Sequence, residues 1–243
     1  MTAPMLHFVP LFERREAAAL PRILPFALFM AFIALESGLH WLSGMVSAAA
    51  PDRPQFFLWL YPVRTAVVLA ALVFYWPAYQ ELRGRVCAGW REALLVAGVG
   101  TLVYGAWVRL DWPWAMQGQA AGYNPFQIGG SAGVVLAVLR LFGAAVVVPV
   151  MEELFWRSFL LRYLIASPFV SVRLGTFTPV SCGVTAVLFG LEHHLWLAGM
   201  LAGVAYACVL YTTHRLWPCI LAHAVTNLLL GSHVLLTGEW QWW

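Results

Sequence analysis

Apolar runs long enough to cross a hydrocarbon core of about 30 Å recur along this chain. They lie near residues 23–42, 57–79, 92–109, 132–156, 179–195, 196–213 and 217–236. The pattern predicts an all-α fold, a polytopic transmembrane helix bundle of about seven spans, with an eighth if one long segment is broken. The stretch from Asp111 to Gly130, with Trp112, Pro113, Trp114, Tyr123, Pro125 and Phe126, is too polar and turn-rich to span and is expected on the outer interface. Ser167 to Pro179 is expected to join the fourth and fifth helices on the opposite side. With no soluble insert and no internal repeat, one integrated membrane domain is expected: residues 1–131 supply about three helices and the outer loop, and residues 132–236 a core.

Composition strengthens the membrane reading. Apolar residues make up 62% of the chain and charged residues only 10%, against roughly 25% charged in a soluble domain. The basic residues are all arginine. Arg14, Arg15, Arg22, Arg83, Arg85, Arg91, Arg162, Arg173 and Arg215 fall on one side of the expected spans, and only Arg53 and Arg109 on the other. This asymmetry places the N-terminus in the cytoplasm and, with seven spans, the C-terminus outside. Trp240, Trp242 and Trp243 are then expected at the outer interface, where amphipathic rings settle. The first twenty residues carry Glu13, Arg14, Arg15 and Glu16 and show no cleavable signal pattern, so the first helix is expected to be retained. A net charge of +3 fits arginine-bearing loops beside anionic lipid, without a nucleic-acid partner. Cys87, Cys182, Cys208 and Cys219 lack paired metal-ligand spacing, and the three within expected spans read as small buried hydrophobes.

Against this background the run Val147-Val148-Pro149-Val150-Met151-Glu152-Glu153-Leu154-Phe155-Trp156-Arg157 stands apart. Each charge near a bilayer centre costs roughly 2.5 to 3.5 kcal/mol, so these three must pair and face a protected cavity. Glu153 and Arg157 are four apart in the favourable acid-first orientation. Glu152 is turned about 100° away, so one carboxylate is neutralised while the other remains free for proton chemistry. Pro149 leaves the carbonyl of Ala145 without its usual donor and permits a kink just before the acids. A purely structural ion pair joining two helices is the plainer alternative. Two more pairs at helical spacing, Phe189 with His193 and His223 with Asn227, bring polar groups from other helices toward the interior. A lone buried histidine is commonly a packing residue, but three helices each offering polar groups away from water is hard to ascribe to packing.

The order Glu-Glu-x-x-x-Arg, Phe-x-x-x-His, His-x-x-x-Asn on successive helices resembles the CAAX prenyl endopeptidases and their bacterial relatives of the bacteriocin-processing or self-immunity kind. The resemblance covers roughly residues 132 to 236 and suggests the subgroup associated with exosortase systems. It implies an intramembrane endopeptidase acting on a membrane-associated or lipid-modified protein. Glu152 would be general base for a water oriented with His193, His223 and Asn227 would stabilise the oxyanion, and Glu153 and Arg157 would hold the site in shape, with Phe189 supporting. A desolvated carboxylate accepts a proton from water readily, and a histidine and asparagine one turn apart can donate to one oxygen, so the residues suit those roles.

Glu152, His193 and His223 also form a donor set compatible with catalytic zinc, although no His-Glu-x-x-His motif is present. Glu192 and His194 flank His193, and read equally well as additional site groups or as polar residues at a helix end among headgroups; His194 could replace His193. Arg64 and Arg140 lie inside expected spans, to pair with Glu36 or line an access route. Gly199 and Gly203 are spaced for close helix contact within the bundle. A depth count leaves a conflict: Glu152 and His223 lie toward the cytoplasmic side, whereas a straight fifth helix from Pro179 places His193 roughly 20 Å deep. Either that helix starts deeper, or Glu192 to Trp196 bends back. The competing classes are a transporter or proton relay, and a non-catalytic peptide-binding or immunity protein; neither inverted repeats nor a degraded motif is evident. Substrate access is expected from the cytoplasmic or lateral side, and the oligomeric state is not legible.

Overall fold

The computed structural model describes residues 11–46, 55–118 and 122–243, with side chains from residue 18 and, in the first helix, up to 42. Arg53 lies outside the described residues, as do the side chains of Arg14 and Arg15. Among the described residues seven helices follow one another: α1 (Leu11–Val46), α2 (Phe57–Phe74), α3 (Trp90–Trp107), α4 (Gly130–Tyr163), α5 (Pro179–Leu191), α6 (Trp196–Thr213) and α7 (Leu216–Thr237). There is no strand among the described residues. The chain is an all-α membrane bundle, and α1, α2, α4, α6 and α7 each contain a segment long and apolar enough to cross a bilayer. Of the other two expected spans, α5 is apolar but has 13 residues, and α3 opens with Arg91 and Glu92.

Buried positions follow helical periodicity. On α2 they are Phe57, Tyr61, Arg64, Thr65, Val68 and Leu72, one face three and four residues apart. On α3 they are Val96, Gly100 and Val103. Gly100 lets α3 close on α7, because a Cβ there would stand 2.7 Å from the carbonyl of Ala222 and from Val225. Gly199 and Gly203 make the expected intramolecular contact, where added Cβ atoms would stand 3.0 Å from the Cα of Gly190 and 3.1 Å from that of Ala186 on α5. Of the three cysteines expected to be buried, Cys219 is, Cys182 is half-buried and Cys208 is exposed, since it lies on the outward side of α6.

Helix α4 departs from regular geometry twice. Residues Gly143–Val147 and Leu154–Leu160 are π-helical, and the intervening Val148–Glu153 carries Pro149 and both glutamates. The N–H of Val148 reaches back to Gly143 instead of Ala144. In that shifted register the carbonyl facing the proline is that of Ala144, not Ala145 as an α-helical count expects. Asn227 of α7 donates its Nδ2 to it at 2.8 Å, satisfying the group that proline orphans.

The two ends of the bundle differ. At the arginine-rich end, Arg22 of α1 donates to Glu81 at 2.7 and 2.6 Å. Ser158 of α4 donates to the same carboxylate, and Arg162 stands 4.0 Å from it. Burial pushes the Glu81 carboxyl up, but the hydrogen bonds and charge of Arg22, with the Ser158 hydroxyl, outweigh this and hold it below its ordinary value. At the other end, the loop between α3 and α4 folds under the turn between α5 and α6. Gln117 donates to the carbonyls of Leu191 and His193 at 2.6 and 2.9 Å, and its own N–H to that of His194 at 2.8 Å. Trp240 accepts from the N–H of Tyr123 at 3.3 Å, which ties the C-terminal segment to the same face.

Candidate active site

Glu153 is fully buried and has the partner its spacing predicts: its Oε2 lies 3.1 Å from Arg157 Nε. Its other oxygen, Oε1, lies 3.0 Å from Nδ1 of His223 on α7. Arg157 also donates to the Gly203 carbonyl at 3.2 Å, and its guanidinium lies 4.5 Å from the Phe189 ring centre. One carboxylate thus joins α4 to α7, and through Arg157 to α5 and α6. Such a charge is tolerable away from water because Oε1 has the His223 nitrogen and Oε2, though it makes no hydrogen bond, faces the Arg157 cation.

Glu152, one residue earlier, points elsewhere. It is buried, its Oε2 has no hydrogen-bond partner, and the nearest imidazole nitrogen is His223 Nε2 at 3.9 Å. The expected division holds: one glutamate is bound up, the other carries an open acceptor. The His223 ring is stacked on Tyr206 of α6 at 4.8 Å between centres, and Tyr206 donates to Thr226 at 2.8 Å. Tyr206 and Thr226 were not singled out in the sequence. The signal for Tyr206 is its place three residues after Gly203 and seven after Gly199, on the same small-residue face.

The depth conflict is eased by α4, which runs on to Tyr163 and so sets Glu152 eleven residues, roughly 16 Å, from its arginine-side end. Helix α5 begins at Pro179 as expected, with Thr178 as its N-cap, and ends at Leu191, four residues short of the expected 195. The turn from Glu192 to Leu195 then bends back, bringing His193 beside Phe189 at 4.8 Å between rings and Trp107 of α3 at 5.2 Å. His193 Nδ1 lies 2.6 Å from the Phe189 carbonyl. A carbonyl only accepts, so Nδ1 carries a proton, and in the neutral ring Nε2 presents a lone pair. Glu192 lines the cavity and accepts from Trp156 Nε1 at 3.1 Å, instead of facing headgroups. His194 sits apart, with Nδ1 against the Gln117 carbonyl at 2.5 Å.

Glu152, Glu192, His193, His223 and Asn227 share one cavity of about 280 Å³. Among the described residues, the ligating atoms of Glu152, Glu192 and His193 lie within 4.8 Å of one another, while His223 approaches through Glu152 alone. Two carboxylates and an imidazole, one of them with an unpartnered oxygen, suit a borderline cation such as zinc. Along α4 the lining is Arg140, Ala144, Val148 and Glu152, a stripe at spacing four, and it extends to Trp107, Trp242 and Trp243 near the loop-bearing face. Toward the arginine-rich face, Met151 and Leu154 join Val68, Leu72, Leu216 and Ile220 in a solid core. The cavity therefore leads away from the arginine-rich face, the first of the two expected routes of access, because the side chains of α4 that follow Glu152 toward that face are packed, while the lateral route stays an expectation.

No curated protein and no solved structure matches this chain. A family model, Rce1-like (type II CAAX prenyl endopeptidase Rce1-like), matches residues 134–229. That span runs from early α4 to α7, covers 96 of the 243 residues and contains Glu152, Glu153, Arg157, Phe189, His193, His223 and Asn227, so the part of the chain that carries these site residues is similar to the type II CAAX prenyl endopeptidases.

Proposed function

We propose that this protein is an intramembrane endopeptidase that hydrolyses a peptide bond in a membrane-associated or lipid-modified protein, with Glu152 as general base. The observation that carries the reading is the open Oε2 of Glu152, buried in a cavity it shares with His193 and His223. A water held there donates one proton toward Glu152 and the other toward the lone pair of His193 Nε2, and its oxygen attacks the substrate carbonyl. The carbonyl oxygen gains negative charge as the tetrahedral intermediate forms. Asn227 spends one N–H on Ala144 and has a second to offer that oxygen. A proton on His223 Nε2 would serve the same oxygen, with Glu153 at Nδ1 holding the ring. The carbon–nitrogen bond then breaks as Glu152 returns its proton to the departing amine.

If zinc is used, Glu152, Glu192 and His193 are the residues to hold it, and it would supply an acidified water. The test is cleavage of quenched membrane peptides, including a prenylated C-terminus, by purified protein in lipid, comparing the wild type with Glu152→Gln. Loss of cleavage in a folded variant supports the reading. Equal cleavage by both removes Glu152 from the reaction, and a protein that binds such peptides without cutting them is the immunity-type alternative.

A further inference from the structure

Two arginines stand at the far end of the cavity from Glu152. Arg64 of α2 is 7% exposed, and Arg140 of α4 begins the stripe that ends at Glu152. Both line the site cavity, and both also line a second cavity of about 460 Å³ bounded by α1, α2, the 122–127 loop and Trp240. Tyr61 and Trp243 are likewise common to the two. The arginines therefore form the neck between an outer vestibule and the candidate active site.

That neck is electropositive and under-paired. Glu36 stands 3.7 Å from Arg64, while Arg140 has no carboxylate partner among the described residues and lies 4.0 Å from the Tyr61 ring centre. The Nε atoms of both arginines are buried without an acceptor. Two guanidiniums against one carboxylate leave a surplus positive charge at partly buried side chains, and guanidinium forks match carboxylates.

We propose that Arg64 and Arg140 form a subsite for a substrate carboxylate, and that peptides reach Glu152 from the loop-bearing face through this neck. The inference rests on the endopeptidase reading and adds the substrate feature it selects. Twelve residues separate Arg140 from Glu152 on one helix stripe, at most about 18 Å. An extended peptide covers that distance in about five residues. The selected substrate thus carries a carboxylate about five residues beyond the bond that is cut. A free chain end and an internal aspartate offer the same chemistry.

The experiment uses three fluorescent peptides of otherwise equal sequence: one with a free C-terminus at that distance, one amidated with aspartate there, and one amidated with asparagine. Binding is read by anisotropy in lipid nanodiscs on Glu152→Gln protein, where nothing is consumed, and cleavage on protein with Glu152 intact. At least one acidic peptide binds roughly tenfold or more tightly than the neutral one. Arg140→Gln removes the difference and leaves neutral-peptide binding unchanged, Arg140→Lys keeps part of it, and the cleavage defect appears in KM with kcat little altered. The aspartate peptide matching the free end identifies a side-chain carboxylate, and its matching the neutral peptide identifies a chain end. Equal binding of all three peptides overturns the proposal, as does an Arg140→Gln variant that weakens all equally. Loss of co-purifying anionic phospholipid from Arg140→Gln, with no preference among peptides, assigns the neck to lipid instead. Carboxylate-dependent binding with no Glu152-dependent cleavage retires the peptidase reading and keeps the subsite. Glu152-dependent cleavage indifferent to the carboxylate does the reverse.

Discussion

Adjacent glutamates in this protein have opposite circumstances, and substitutions should separate them. Glu153→Gln removes the charge that Arg157 and His223 share, leaving a buried guanidinium without its carboxylate, so a loss of about 3 to 5 kcal/mol in unfolding free energy is expected. Glu152→Gln should leave stability near that of the wild type, since the oxygen it alters has no partner. Equal destabilisation of both variants, measured by reversible unfolding in detergent, would contradict this division. Asn227→Ala should act on two counts: an orphaned Ala144 carbonyl costs about 1 to 3 kcal/mol, and a lost oxyanion donor lowers kcat by roughly a hundredfold or more. Much of this was legible, because the Glu153 to Arg157 and Phe189 to His193 relations are local helical spacings. The contact of His223 with Glu153 was not, because it depends on the register of α7 against α4, which no local spacing encodes. Glu192 was ambiguous for a related reason: its direction is decided by a turn and by the Trp156 indole that reaches it.

Helices carried most of the legible information, and irregular segments hid the rest. All seven expected apolar segments are helical, but α2 stops at Phe74, short of the expected 79, and α4 continues to Tyr163, past the expected 156. Both errors come from reading hydropathy as helix length. The π-helical stretches have no such signature, and the carbonyl freed by Pro149 was misassigned by one residue because an α-helical register was assumed. The back-bent turn after Leu191 was one of two outcomes the depth count allowed, and Gln117, which ties it to the α3–α4 loop, gave no signal. The α3 to α7 contact offers a test at this scale. Gly100→Val pushes a branched side chain into Ala222 and Val225, and should cost about 1 to 3 kcal/mol while displacing His223 and Asn227 on the same helix. Thermal unfolding and kcat should therefore fall together, whereas Gly98→Ala, with nothing within 4 Å, should lower neither.

Taken as a whole, the molecule is open toward one face and stapled shut at the other by Arg22, Glu81, Ser158 and Arg162. The carboxyl of Glu81 is held below its unfolded value, so its contribution is fully present above about pH 4.3 and is lost as pH falls through the lower folded value. Wild-type melting temperature should consequently drop on acidification below that range, and a Glu81→Gln protein should start lower and drop less. If the cavity holds zinc, stripping with a strong chelator should abolish cleavage and zinc restore it, whereas undiminished cleavage after stripping would remove the metal from the reaction. Positive-inside counting separated the two faces of the chain, but it could not see that the cavity runs from Glu152 toward the loops, since that depends on which side chains fill the other half of the bundle. The packed layer of Met151, Leu154, Leu216 and Ile220 has a physiological corollary. A hydrolase must admit water into the bilayer, yet a water column reaching from side to side would dissipate the ion gradients that the membrane maintains. On the endopeptidase reading, the packed apolar layer on one side of its acids would let water in from a single compartment and keep the membrane electrically tight.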